Sequence, residues 1–203
     1  MKQIKFENKT ITPSKVVCVG RNYVEHIHEL GNEIPSSMVL FNKPNSAITN
    51  TLSYFDEKCR FEGEICFLIQ EGAIAGIGFG LDLTRADIQN RMKEKGLPWE
   101  RAKAFDGSGV LSAFIPFDSS QMEKISMKLY RNDTLAQYAT YDLMIYKPNE
   151  IVREISSFMT LEDGDIIMSG TPKGVSSYAR GDRFAAELLL DEEVILECAF
   201  MAQ

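Results

Sequence analysis

The chain has 203 residues, 44% of them hydrophobic and 25% charged, and its formal net charge is −7 at pH 7. This composition is ordinary for a globular domain, and the negative charge argues against nucleic acid as a partner because phosphate binding needs a basic surface. The apolar stretches are too short to span a bilayer, the N-terminus has no apolar signal region and the four cysteines lack CxxC spacing, so we expect a cytoplasmic protein with reduced thiols and no membrane partner.

The first half of the chain alternates predicted strands with two predicted helices. Turn residues and apolar alternation predict the following elements: short strands in 4–20, a helix in 21–31 ended by Gly31, a strand in 38–44 ended by Pro44, one long strand in 58–69, a Gly-rich strand or turn in 76–83, and a helix in 84–96 ended by Gly96 and Pro98. The middle of the predicted long strand is crossed by acidic residues.

The second half returns to strands, with one further helix. The predicted elements are a hairpin in 124–141 that turns at Asn132-Asp133, a helix in 148–161 with Ile151, Ile155 and Phe158 on one face, a strand in 163–170, a loop in 171–174, and a closing strand pair, 183–190 and 193–200. Many strands with few scattered helices indicate an α+β fold around a mixed sheet. Since the sequence contains no repeat or linker, we expect a single domain over residues 1–203.

The acidic residues of the predicted long strand suggest a metal site. Glu62 and Glu64 flank Gly63, and side chains two residues apart in a strand point to the same face. Convergence with Asp82 would cost roughly 4 kcal/mol per pair at 4 Å and an effective dielectric of 20, which protonation or a cation would relieve. Oxygen ligands select Mg²⁺, Mn²⁺ or Ca²⁺. The alternative is a solvated strand face for the glutamates and a helix N-cap for Asp82.

The two histidines of the chain, His26 and His28, lie in the first predicted helix. His26 and Glu29 are three residues apart, so their side chains can meet on the helix surface. A glutamate beside a histidine orients the ring and raises its basicity, which suits general base catalysis near neutral pH. The alternative is a surface helix with an incidental ion pair. We assign no role to His28.

Six motifs occur in an order that resembles the fumarylacetoacetate hydrolase family. They are VCVGRNYVEHIHELGN, VLFNKP, FEGEI, GLDLT, KGLPWERAKAFDGS and SGTPKGV, and the resemblance runs from about Lys15 to the C-terminus. The chain is similar to the short bacterial members and to the mitochondrial acylpyruvase type. The resemblance implies a mixed β-roll, a homodimer and a small anionic 2-oxo acid as substrate.

The resemblance also implies a role for ten residues of this chain. Glu62, Glu64 and Asp82 would bind Mg²⁺ or Mn²⁺, with Ca²⁺ as a substitute. His26, Glu29 and Lys103 would be catalytic, the first two in a segment that orders as a lid over the substrate. The implied substrate-binding residues are Arg21, Asn22, Gln89 and Thr171.

Two departures from the family pattern concern the substrate more than the metal. The family commonly has arginine four positions after the metal-binding aspartate, where this chain has Ala86, with Arg85 one residue earlier. A helix turns about 100° per residue, so Arg85 does not simply replace the missing side chain. The stretch from Glu64 to Asp82 is also shorter than in many members.

The resemblance implies chemistry through an enolate that the metal stabilises. Retention of both His26 and Glu29 favours hydrolysis of a carbon–carbon bond in an acylpyruvate or fumarylpyruvate, with His26 activating water. The same enolate would serve isomerisation of 2-hydroxyhepta-2,4-diene-1,7-dioate, or tautomerisation or decarboxylation of oxaloacetate. An alternative of another class is a catalytically silent metal- or metabolite-binding protein, for which Ala86 is the best support.

Overall fold

A computed structural model describes residues 1–29 and 35–203 of the chain. The α-helices of these residues are Val24–Glu29 (α1), Ala86–Glu94 (α2), Glu100–Lys103 (α3) and Pro148–Ser156 (α4), and the short 3-10 helices are Asn45–Ala47 and Ser119–Lys124. No helix within the described ranges has the length and apolar character needed to cross a membrane. The predicted helix stop at Gly31 lies outside the described residues.

Strands make up most of the regular structure. They are Ile4–Phe6 (β1), Lys9–Ile11 (β2), Lys15–Gly20 (β3), Val39–Pro44 (β4), Ile48–Thr49 (β5), Cys59–Phe61 (β6), Gly63–Gln70 (β7), Ala73–Asp82 (β8), Thr84–Arg85 (β9), Gly109–Leu111 (β10), Ile115–Pro116 (β11), Ile125–Arg131 (β12), Thr134–Thr140 (β13), Ile166–Met168 (β14), Ser176–Ser177 (β15), Arg183–Leu190 (β16) and Glu193–Met201 (β17).

The central element is a mixed sheet in the order β4-β3-β14-β7-β8-β10-β5, with β11 paired to β8. Its parallel pairs are β3 with β14 and β5 with β10, and its other pairs are antiparallel. A four-stranded antiparallel sheet, β13-β12-β16-β17, and a three-stranded one, β15-β6-β9, complete the main framework. The predicted α+β fold around a mixed sheet, with a few short helices, is confirmed.

The core lies on both faces of the central sheet. Alternate residues of β7 divide between the faces: Ile65 and Phe67 join the larger cluster, shared with the four-stranded sheet, and Cys66 and Leu68 join a smaller cluster. Every residue of β7 except Gln70 is buried. Each fully buried large apolar side chain contributes about 1.5–3 kcal/mol to the stability of the fold. Burial on both faces therefore holds β7 firmly in the central sheet.

The Gly-rich segment 76–83 lies mostly in a strand, β8, that packs closely against bulky side chains. A Cβ atom on Gly78 would lie 2.8 Å from the ring of Phe114, and one on Gly80 would lie 2.6 Å from Cε of Met168. These glycines therefore allow Phe114 and Met168 to fill the smaller cluster. Asp82 is the last residue of β8.

Three hairpins turn through two residues that both have positive φ. The turns are Glu71-Gly72 between β7 and β8, Asn132-Asp133 between β12 and β13, and Asp191-Glu192 between β16 and β17. Positive φ at both central positions is the pattern whose twist matches paired antiparallel strands. The predicted turn at Asn132-Asp133 is confirmed, and the tight turn at Glu71-Gly72 accounts for the short stretch between Glu64 and Asp82.

Two predictions about elements are wrong. The segment 58–69 forms two strands, because the chain leaves the three-stranded sheet after β6 and enters the central sheet with β7, and Glu62 lies between them. Ile151 and Ile155 are buried as predicted, but α4 ends at Ser156, and Phe158 beyond it is 60% exposed.

Candidate active site

Three carboxylates converge where β6, β7 and β8 meet. Glu62 joins β6 to β7, Glu64 lies in β7 and Asp82 ends β8, and one ligand oxygen from each lies within 4.8 Å of the others. The backbone N–H of Asp82 donates to the carbonyl of Glu62 at 2.8 Å, which fixes the two chain segments together. Glu64 and Asp82 are each 1% exposed, so these charges face little water.

Two buried lysines partly neutralise the carboxylates. The Lys103 ammonium donates to Asp82 Oδ2 at 2.6 Å and to Glu62 Oε2 at 2.9 Å, and the Lys43 ammonium lies 2.7 Å from Asp82 Oδ1. Lys43 also donates to the Lys103 carbonyl and to Ser108 Oγ. Three carboxylates and two ammonium groups leave a formal charge of −1 (−3 + 2) in this cluster.

The ionisation of the cluster depends on which carboxylate faces a lysine. Burial and the nearby charges of Asp82 and Glu62 raise the pKa of Glu64, although the Gly170 N–H donates to it at 2.6 Å. Burial also acts to raise the pKa of Glu62, but Lys103 outweighs it and lowers that pKa. Burial disfavours the charge on Lys103, yet Asp82 and Glu62 raise its pKa.

The donor set fits a hard divalent cation. Carboxylate oxygens are the ligands that Mg²⁺, Mn²⁺ and Ca²⁺ prefer, and Glu64 has no lysine partner among the described residues. A divalent cation would change the formal charge of the cluster from −1 to +1. It would thereby offset the repulsion by Asp82 and Glu62 that helps to raise the pKa of Glu64. Glu62, Glu64 and Asp82 could therefore hold a metal ion.

The predicted pair His26 and Glu29 meets on α1. Nδ1 of His26 lies 3.3 Å from Oε2 of Glu29, and the Glu29 carboxylate accepts from the Gly174 N–H at 3.1 and 3.2 Å. Lys173 and Glu25 form a second link, an ion pair at 3.0 Å, between α1 and the loop 171–174. His26 is 5% exposed and is among the groups that lower the pKa of Glu62, so it lies near that carboxylate.

The four predicted substrate-binding residues occupy different environments. Gln89, on α2, lines a cavity of about 360 Å³ that also has Glu29 and Glu62 in its wall. Thr171 is 3% exposed, donates to the Gly63 carbonyl at 3.0 Å and accepts from Gln137. Its hydroxyl is therefore bonded to the backbone between Glu62 and Glu64.

Asn22 and Arg21 lie at the end of β3. The Asn22 side chain is fully buried and bonds to the backbone of Tyr146 and Ser169, which fixes the loop that follows β3. Arg21 is half-buried, has a positive φ of 60° and lies near enough to Lys93 to lower its pKa. Direct contact of either side chain with a substrate stays a prediction.

Three further polar residues support the site and were not predicted. Lys43 holds Asp82 as described above, and Thr84 donates to Glu62 Oε1 at 2.7 Å and accepts from Lys103. Gln137 bonds to the Gly63 N–H and to Thr171. Lys43 lies within the VLFNKP motif, and a lysine in a predicted strand could have indicated a buried ion pair. No comparable sequence pattern marks Gln137.

Comparison with known proteins gives consistent matches. The family model described as the fumarylacetoacetate (FAA) hydrolase C-terminal matches residues 15–198. An oxaloacetate tautomerase of Escherichia coli (strain K12) is 39% identical over 187 residues, which cover 83% of this chain and 85% of that protein.

Solved structures agree with the sequence matches. A structure from Oleispira antarctica, described as a putative fumarylacetoacetate isomerase/hydrolase, has a TM-score of 0.94 and 35% identity and covers 100% of both chains. Fumarylpyruvate hydrolase from Pseudomonas aeruginosa, in complex with Mn²⁺ and pyruvate, has a TM-score of 0.86 and 29% identity, with coverage of 99% of this chain and 95% of that one.

Proposed function

The chain belongs to the fumarylacetoacetate hydrolase family, and we propose that it is a metal-dependent enzyme that interconverts the keto and enol forms of oxaloacetate. The observation that carries the proposal is one site in which three convergent carboxylates, Lys103 and the His26–Glu29 pair lie together. The 39% identical relative is an oxaloacetate tautomerase, which favours this substrate over an acylpyruvate.

Glu62, Glu64 and Asp82 would hold Mg²⁺ or Mn²⁺. When bound, the cation supplies positive charge to the carboxylate and 2-oxo oxygens of the substrate and so favours the enolate. The related hydrolase contains Mn²⁺, which supports a cation of this kind. Lys103, held between Asp82 and Glu62, keeps a second positive charge within the carboxylate cluster.

The His26–Glu29 pair would move the proton. The contact with Glu29 engages Nδ1 of His26 and leaves Nε2 for exchange with the substrate. In the keto-to-enol direction, the proton on carbon 3 passes to Nε2 and the C–H electron pair becomes the double bond between carbons 2 and 3. The π pair of the carbon 2 carbonyl moves onto its oxygen, which takes up a proton from solvent, and Nε2 then returns the proton it gained to solvent. Because no carbon–carbon bond breaks, the reaction consumes no water.

Acylpyruvate hydrolysis is the second candidate. The same Nε2 of His26 would take a proton from water, which then attacks the distal carbonyl of the substrate. Support comes from the fumarylpyruvate hydrolase with its similar structure and from the Gly174 N–H that fixes Glu29. The two candidates differ in product, since hydrolysis alone releases pyruvate.

The decisive experiment follows both products with the same protein preparations. The decay of enol-oxaloacetate absorbance and the release of pyruvate from an acylpyruvate are measured with Mg²⁺, with Mn²⁺ and with EDTA. We expect metal-dependent enol decay that Glu64→Ala abolishes and that His26→Gln reduces by about 10²-fold or more. Glu197→Ala, at an exposed strand position, is the control and should match wild type.

Each outcome assigns the activity. Metal-dependent pyruvate release that exceeds the enol decay would replace the tautomerase assignment with the hydrolase. Full activity in EDTA would contradict the metal assignment. A metal-induced rise in Tm with neither activity would leave the silent binding protein as the function.

A further inference from the structure

Two half-buried cations line the outer wall of the active-site cavity. Arg60 lies on β6 and Lys93 on α2, and both border the cavity of about 360 Å³ that contains Glu29, Glu62 and Gln89. Over residues 1–29 and 35–203, neither forms an ion pair with a carboxylate. The wall of the cavity therefore carries two acidic side chains, Glu29 and Glu62, and two basic ones, Arg60 and Lys93.

The surroundings of Lys93 favour an anion. Burial lowers the pKa of Lys93, and the charges of Arg21, Lys103 and Arg60 lower it further, while Glu62 opposes them. The ammonium lies 5.4 Å from the ring centroid of Trp99, which excludes water from one side. A carboxylate in the cavity would offset the repulsion among these cations.

The cavity has room for that carboxylate because of Ala86. The family commonly carries arginine at this position, but here the methyl group of Ala86 lies in the cavity wall. The neighbouring Arg85 does not substitute, because its guanidinium lies over the Phe105 ring, 4.4 Å from the centroid, and both residues line a different cavity. Ala86 thus adds no cation to the wall of the cavity that Arg60 and Lys93 line.

We propose that Arg60 and Lys93 bind the second carboxylate of a dicarboxylic 2-oxo acid and so select it over a monocarboxylic one. The inference rests on the proposed function, because the first carboxylate and the 2-oxo group must lie at the metal ligands. Charge supports the proposal: the carboxylate cluster with a divalent cation has a formal charge of +1, and Arg60 and Lys93 add two further cations to a cavity wall that also contains Glu29. Arginine supplies paired donors to a carboxylate, and lysine supplies a point charge.

The test compares two ligands that differ by one carboxylate. Binding of pyruvate and of oxaloacetate to the Mn²⁺-loaded protein is measured by titration calorimetry for wild type, Arg60→Met and Lys93→Met. We expect each substitution to raise the Kd for oxaloacetate about tenfold and to leave the Kd for pyruvate within about twofold of wild type. Lys93→Arg should restore most of the affinity, and Lys95→Met, at an exposed position just beyond the same helix, is the matched control.

The outcomes separate this inference from the proposed function. If both ligands bind and both variants weaken them equally or not at all, Arg60 and Lys93 do not select a dicarboxylate, and the proposed function stands. If wild type binds neither ligand, the proposed function itself fails. Selective loss of oxaloacetate affinity in the two variants, with the control unchanged, supports the inference.

Discussion

At the scale of single residues, Glu62 and Glu64 differ although both belong to the FEGE motif. Glu62 accepts from Lys103 and Thr84, and Lys103 lowers its pKa against the effect of burial. Glu64 accepts from the Gly170 N–H, and burial together with Asp82 and Glu62 raises its pKa. Glu64 is thus the carboxylate whose charge most needs a cation.

The first prediction follows from that environment. In the metal-free protein, a raised pKa means that Glu64 favours the folded state below its unfolded pKa, and that this contribution is lost as the pH rises through the folded pKa. Glu64→Gln keeps an acceptor for Gly170 and removes the charge. We therefore expect the metal-free variant to have a higher Tm than metal-free wild type at pH 8 and to lose the rise in Tm that Mn²⁺ gives wild type.

Scanning calorimetry with and without Mn²⁺ measures both effects. Glu197→Gln, which removes an exposed carboxylate, should change neither quantity. A variant that is less stable than wild type without metal, or that still gains stability from Mn²⁺, would contradict the account of Glu64.

The sequence predicts those side chains whose spacing is local. Glu62 and Glu64 are two residues apart, His26 and Glu29 are three apart, and both pairs meet in the structure. Lys43 and Gln137 could not be predicted in the same way, because their partners are distant: Gln137 bonds to the Gly63 N–H across 74 residues. Such contacts depend on how the sheets pack, which no local pattern encodes.

At the scale of elements, turns were predictable where the chain itself supplies the signal. Asn132-Asp133 favours positive φ and indeed forms a two-residue hairpin turn. The break at Glu62 was not predictable, because the alternation of apolar residues continues through it while the chain moves from one sheet to another. Periodicity predicts a strand but does not specify its partners.

The C-terminus of α2 gives the second prediction. Gly96 has φ of 60°, and its N–H and that of Leu97 bond back to the carbonyls of Lys93 and Met92, as in a Schellman motif. A Cβ at Gly96 would meet nothing within 4 Å, so Gly96→Ala tests the backbone alone. We expect the free energy of unfolding, measured by urea titration, to fall by about 1–2 kcal/mol.

Lys95→Ala, one residue earlier and without the positive φ, is the control for the end of α2 and should change stability little. An unchanged urea midpoint in Gly96→Ala would mean that the motif at Gly96 does not contribute to the free energy of unfolding.

The start of β14 gives the third prediction. Asp165 accepts from the N–H and hydroxyl of Ser14, the N–H and ammonium of Lys15 and the N–H of Glu162. Burial acts to raise the pKa of Asp165, but Lys15, Ser14 and the backbone donors lower it overall. Asp165→Asn should therefore lower the free energy of unfolding at pH 7 by roughly 1–3 kcal/mol.

The pH dependence identifies the cause. Because the folded pKa of Asp165 is depressed, its contribution is present above the unfolded pKa of about 3.9 and is lost as the pH falls through the folded pKa. The stability difference between wild type and Asp165→Asn should thus shrink as the pH falls below about 4. Asp106→Asn, at an exposed position, is the control, and a difference that stays constant with pH would contradict the role of the charge.

At the scale of the whole molecule, a net charge of −7 is compatible with an anionic substrate because charge is arranged locally. Lys43 and Lys103 oppose the inner carboxylates, and Arg60 and Lys93 line the outer cavity. The net charge of the chain therefore does not predict the charge of a site that a few buried side chains form.

The last prediction concerns assembly, for which we propose a homodimer. Three large apolar side chains, Val24, Tyr138 and Leu143, are 39%, 46% and 45% exposed and border one cleft of about 200 Å³ beside α1. Exposed apolar side chains grouped around one cleft are typical of an interface, and a two-fold dimer is the commonest closed assembly. Because α1 carries His26 and Glu29, contact here would also hold the proposed catalytic pair in place.

Light scattering on the eluted protein should give twice the chain mass of 22.9 kDa for wild type. Leu143→Glu places a charge in the cleft and should shift the mass to that of one chain, whereas Phe158→Glu, at an apolar position that is 60% exposed outside the cleft, should leave the dimer intact. A wild-type mass of one chain would contradict the dimer. A Leu143→Glu variant that remains dimeric would place the interface elsewhere, and α1 would then be held by its bonds to the loop 171–174 and by the burial of Ile27.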